Sequence, residues 1–115
     1  MSKGSYEIKV NHGAKIVEMY IGGTFTPTDV QNFVRDYQKE VSAINAPVFT
    51  LEIDCSYMDL LKQEMIPSLE NSYKMYKEAG FKKVIFKIKQ NPVLKLQLNR
   101  LAKNTGLTNA EILEG

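Results

Sequence analysis

Tyr6, Ile8 and Val10 alternate with Glu7 and Lys9, the period of a strand with one buried face. Asn11-His12-Gly13 is a tight turn. Lys15 to Ile21 is a second apolar-polar run, which predicts a hairpin with the first. Gly22-Gly23 is expected to end it. Thr26 then offers an N-cap, Pro27 fits the first helical position, and Asp29 suits the positive helix end. Val30, Phe33, Val34, Tyr37, Val41 and Ile44 form one apolar stripe at helical spacing. Val48 to Asp54 predicts a third strand. A second helix is expected from about Gln63 or Glu64 to Ala79, with Pro67 in its first turn and Gly80 ending it. Its inward residues are Ile66, Leu69, Tyr73 and Tyr76. Val84 to Ile88 reads as a fourth strand. Asn91-Pro92 opens a third helix, with Leu94, Leu98 and Leu101 on one stripe and Gly106 beyond its end. Thr108-Asn109-Ala110-Glu111 has capping-box form and predicts a final helical turn. A short strand at Ile112-Leu113 is the alternative.

Each strand has one polar face: Glu7 and Lys9, Glu18, Thr50 and Glu52, Lys87 and Lys89. Parallel sheets covered on both faces read as continuous apolar runs. The alternation therefore predicts helices on one side and an open sheet face on the other. The order makes strands two, three and four parallel, joined by right-handed crossovers. The expected fold class is α/β, a mixed four- to five-stranded sheet of successive βα units with helices mainly on one face.

The chain has 115 residues, which suits one domain with one core. No apolar run approaches the roughly 20 residues that span a bilayer. Met1 to Tyr6 contains no apolar signal-peptide core. A single cysteine makes no internal disulfide, so a reducing cytoplasm is the expected location. Net charge is only +2, but it is unevenly placed. Lys82, Lys83, Lys87, Lys89, Lys95, Arg100 and Lys103 fall in an acid-free stretch, whereas the remaining chain holds eight basic and thirteen acidic residues. The basic stretch spans strand and helix rather than one face and has only Phe81 and Phe86 as interleaved aromatics. It reads as solvated surface, and nucleic acid is not the expected partner.

The order and spacing carry a resemblance over nearly the whole chain. Its parts are Ile16 to Ile21 followed by Gly22-Gly23, the helix after Thr26, and the strand ending in Asp54. Tyr73-Lys74 with Ala79-Gly80, Asn91-Pro92, and Thr105-Gly106-Leu107 complete it. This layout resembles the STAS domain, the SpoIIAA-like anti-sigma-factor-antagonist fold. The resemblance implies a mixed sheet with helices gathered on one side, and work through protein contacts. In that family an Asp-Ser-Ser/Thr-Gly turn opens the second helix, and phosphorylation of one hydroxyl releases the partner. Here the turn falls on Lys62-Gln63-Glu64-Met65 and the phosphoacceptor position on Glu64, which has no hydroxyl. The phosphoserine switch is therefore not expected. Glu64 suits a first helical turn on charge grounds alone.

The loop leaving the carboxyl end of a strand in an open α/β sheet commonly meets ligands and partners. The expected partner-contacting residues are Cys55, Ser56, Tyr57, Met58, Asp59, Lys62, Gln63 and Glu64. Tyr57, Met58, Leu60, Leu61 and Met65 place adaptable apolar side chains there, as protein interfaces use. Asp54, Asp59 and Glu64 could converge on a hard cation, but no Asp-x-Asp loop or supporting glycine accompanies them, and no metal is expected. Cys55 and the lone histidine, His12, are too far apart in the expected fold for a catalytic pair. No catalytic residue and no cofactor are expected. The expected function is a non-enzymatic, STAS-like regulatory module that binds a protein partner. The alternative is a SpoIIAA-like carrier of a small molecule or lipid, in a pocket lined by Phe33, Tyr37, Leu69 and Tyr73. Homodimerisation through the open sheet face or the first-strand edge is also expected.

Overall fold

Both halves of the opening alternation pair as a hairpin. A computed structural model describes residues 4–58 and 66–114. In it Ser5–Asn11 (β1) runs antiparallel to Ile16–Gly23 (β2), with Ile8 opposite Met19. Pro27–Val41 (α1) follows, then Thr50–Met58 (β3), Ile66–Ala79 (α2), Lys83–Ile88 (β4), Pro92–Thr105 (α3) and Ala110–Glu114 (β5). The strands lie in sequential order, β1-β2-β3-β4-β5, and all neighbours beyond the hairpin are parallel. Successive right-handed crossovers in one direction return every helix over the same face. The fold is therefore α/β, with a five-stranded mixed sheet and its helices on one side.

The core confirms the sidedness residue by residue. Val17, Met19 and Ile21 of β2, Leu51, Ile53 and Cys55 of β3, and Val84, Phe86 and Ile88 of β4 share one face and are buried. Phe33 and Tyr37 of α1, Tyr73 and Tyr76 of α2, and Leu94, Leu98 and Leu101 of α3 pack on that face. Tyr73 stacks on Phe86 with ring centroids 5.0 Å apart, and Tyr37 meets Tyr76 edge-on at 5.4 Å. Burying this aromatic surface is the main driving force for closing the helices on the sheet.

The caps act as the sequence predicts. The Thr26 hydroxyl accepts from the Asp29 backbone N–H at 3.2 Å, and Asp29 accepts from the Thr26 N–H at 2.9 Å. Asn91 accepts from the Leu94 N–H at 3.1 Å, and Gly106 ends α3 with a left-handed φ of 74°. The Tyr6 hydroxyl donates to Asp36 of α1 and ties the edge strand to the helix layer. That bond holds the Asp36 carboxyl below its usual value and the Tyr6 phenol above its own.

Several boundaries differ from expectation. α1 stops at Val41, short of Ile44, and Gly22 and Gly23 belong to β2. Val48 is not a strand residue: Ala46–Val48 forms a 3-10 turn, with Phe49 N–H donating to Ala46 at 2.9 Å. β3 does not stop at Asp54 but runs on to Met58, because β2 continues through Gly22 and Gly23 and offers pairing partners. The expected turn at Thr108 to Glu111 is replaced by the alternative, a strand. There the open edge of β4 outweighs a local capping signal. Asn109 donates to the Phe81 carbonyl at 2.7 Å, and its own carbonyl accepts from Val84 at 3.1 Å, so pairing starts before a helical turn can form.

Candidate interaction surface at the carboxyl end of the third strand

The extension of β3 contains a bulge. Tyr20 lies opposite Asp54 and Gly22 opposite Tyr57, so β3 uses three steps where β2 uses two. An extra residue changes which face the following side chains take. Asp54 pins the bulge by accepting from the Ser56 N–H at 3.0 Å. Its consequence is Tyr57. Without the extra residue Tyr57 would turn toward the helices. With it, the ring sits on the open face and is 61% exposed.

Two residues frame that ring. The Lys89 ammonium lies 4.1 Å from its centroid, within cation–π range. The Tyr20 ring is 6.4 Å away and tilted by 52°. Tyr20 can lie along the strand because the next residue on that face is Gly22: a Cβ there would overlap the Tyr20 hydroxyl. Glycine thus makes room for an aromatic side chain beside the bulge.

Further down the face, Glu7, Lys9, Glu18, Tyr20, Glu52, Asp54 and Lys87 line a shallow cleft of ≈ 240 Å³. Lys87 is its electrostatic centre. It bonds Glu52 at 2.7 Å, and Asp54 is its neighbour in the β3–β4 register. The hydrogen bond to Glu52 and the fields of Glu52, Asp54 and Glu18 raise the Lys87 pKa against a smaller opposing effect of burial. Glu18 and Glu52 are register neighbours, and like charges so placed repel. Lys87 offsets that repulsion through its pair with Glu52 and the field of Glu18.

The sequence-predicted contact residues separate here. Cys55, Ser56, Tyr57 and Met58 are strand residues, not loop residues. Cys55 faces the core and is 3% exposed, and burial and the Asp54 charge push its thiol pKa up to about 12. Ser56 is half-buried and Tyr57 exposed. Asp59, Lys62, Gln63 and Glu64 lie outside the described residues, as do Leu60, Leu61 and Met65. Tyr20 was missed, although its place two residues after Glu18 puts it on the polar face. An aromatic residue on that parity was the available signal. Among the described residues no group of three His, Cys, Asp or Glu side chains is arranged to hold a metal ion. None of their helices is long and apolar enough to cross a membrane. Among the described strands the order runs from one edge to the other without reversing. No family model matches the chain, and no curated protein matches it either.

Proposed function

We propose that this chain is a non-enzymatic, STAS-like protein-interaction module without a phosphoserine switch. Its partner surface is the carboxyl end of β3 and the chain beyond it. The observation that carries this reading is Tyr57, a tyrosine held outward by a pinned bulge and flanked by Tyr20 and Lys89. Tyrosine is among the residue types that dominate protein interfaces energetically. The element order supports the family resemblance. Because Glu64 at the phosphoacceptor position has no hydroxyl, binding is not phosphate-gated there, and the partner is met in the cytoplasm.

A photo-crosslinking residue in place of Tyr57, expressed in the native host, tests this. It should capture one protein that an equivalent probe at Leu96, on the outer face of α3, does not. The captured protein, purified, should bind the unmodified chain, and Tyr57→Ala should weaken that binding by about 2 kcal/mol, roughly thirtyfold. Equal capture from both positions, or unchanged affinity in Tyr57→Ala, would count against the surface.

A second reading, the small-ligand carrier, draws on one observation. The Tyr37 hydroxyl is buried among Phe33 and Tyr76 and has no hydrogen-bond partner among the described residues. A carried ligand would supply that partner. If the core is instead simply packed, Tyr37→Phe removes an unsatisfied group and stabilises the chain by about 1 kcal/mol. Urea denaturation of the purified chain decides the sign. A loss of stability, together with a lipid-like mass retained by the wild type and absent from Tyr37→Phe in native mass spectrometry, favours the carrier.

A further inference from the structure

We infer that β1 is a homotypic docking edge: two copies pair antiparallel through β1, about a two-fold axis at Ile8, to join their two sheets into one. This surface is distinct from the β3 end and stands whatever partner that end takes.

β1 hydrogen-bonds to β2 on one side, and among the described residues no strand pairs with its other side. An outer strand presents unpaired backbone N–H and C=O groups, and proteins usually block such edges with charge, proline or a covering element. β1 lacks proline, and its charges are arranged to attract a second copy. Pairing centred on Ile8 sets Glu7 opposite Lys9 of the second copy and Lys9 opposite its Glu7, on the open face. On the helix face Tyr6 meets Val10, and Ile8 meets Ile8. Ser5 meets Asn11 at the ends. Every pair matches in polarity, and both ion pairs form at once.

Neighbouring registers fail for definite reasons. A shift by one residue puts Ile8 opposite Glu7, apolar against charge. Shifts that keep the faces matched place Glu7 opposite Glu7, or Lys9 opposite Lys9, directly across the axis. Like charges so placed are destabilising. One register is therefore selected, and it closes as a two-fold dimer, not a filament. Tyr6, Ile8 and Val10 are half-buried in the single chain and would lose further exposure in the pair. Glu7 and Lys9, now joined to each other at 3.3 Å along the strand, are 61% and 67% exposed and free to exchange partners.

The opposite edge lacks this property. Antiparallel pairing of β5 about Ile112 would set Glu111 against Leu113 and Glu114 against Ala110. Glu114 is also engaged with Lys95 at 3.1 Å and with the Asn91 N–H at 3.2 Å. Pairing of β1 with β5 of another copy would leave free edges and propagate rather than close.

A charge-swap series on the full chain, followed by sedimentation velocity, tests the register. Wild type should show a concentration-dependent dimer between micromolar and millimolar. Glu7→Lys and Lys9→Glu should each weaken it by about thirtyfold, because both cross-strand pairs become repulsive. An equimolar mixture of the two variants should recover dimer. One copy then carries lysine at both positions and the other glutamate at both, so each cross-strand pair is again of opposite charge. The double variant Glu7→Lys/Lys9→Glu should dimerise as the wild type does. Should one single variant fail to fold, loss of dimer in the other and its recovery in the double variant decide. A strictly monomeric wild type at millimolar concentration overturns the proposal. So does a dimer indifferent to both single substitutions, or a mixture that stays monomeric.

Discussion

Phe86→Ala is expected to destabilise the chain by about 3–5 kcal/mol, while Ile85→Ala, one residue earlier, costs about 1 kcal/mol or less. β4 lies between β3 and β5, so both residues sit well inside the sheet. They take opposite faces of the sheet. Phe86 is 2% exposed, stacked on Tyr73 and within 6.5 Å of the Tyr76 ring. Truncation leaves a cavity that three packed helices cannot collapse to fill. Ile85 is half-buried on the open face between Glu52 and Glu111, where water fills the space its methyl groups leave. Domains of this kind have total stabilities of about 5–15 kcal/mol, so Phe86→Ala brings the chain close to unfolding at ambient temperature. Urea denaturation checks the contrast through the midpoint at constant slope. Equal losses at Phe86 and Ile85 would mean that both sheet faces are covered, and would overturn the one-sided architecture.

That architecture was legible because each strand alternates. Period-two patterning reports burial on one face directly, and Glu18, Glu52 and Lys87 could not have been placed under helices without partners. The caps were equally legible, since Thr26, Asp29, Asn91 and Gly106 act within one turn of where they stand. The failures share a physical cause. The end of β3 and the whole of β5 are fixed by neighbouring strands, not by local preference. Nothing within Cys55 to Met58 says that Gly22 and Gly23 will run alongside, and nothing within Thr108 to Glu111 says that β4 has a vacant edge. The same blindness hid the bulge. A one-residue slip reverses the face of every later side chain, so the outward placement of Tyr57 depends on a register that the sequence does not display.

Cys55 shows what that register does to chemistry. It precedes the extra residue's effect and faces inward, while Tyr57 faces out. Burial and the neighbouring Asp54 carboxylate disfavour its thiolate and raise the pKa from 9.0 to about 12. The thiolate is the reactive form, so at pH 8 its population falls roughly a thousandfold below that of a free cysteine, before any steric protection. Modification by a disulfide reagent such as dithionitrobenzoate should therefore be at least about a thousandfold slower in native buffer than in denaturant. Its residual rate should report opening of the core rather than attack on the folded chain. The pH dependence follows from the sign of the shift. The folded state holds the proton more tightly, so the thiol does not weaken the fold below pH 9.0, and stability declines as pH rises from there toward 12. Tyr73 beside it is also held protonated by burial, with a smaller contribution from Cys55. The two groups thus resist ionisation together, and alkaline unfolding should release both at once. Labelling of the native protein at the rate of an unstructured thiol near neutral pH would show that the β3 end does not pack against α2. The outward display of Tyr57 would then lose its structural basis.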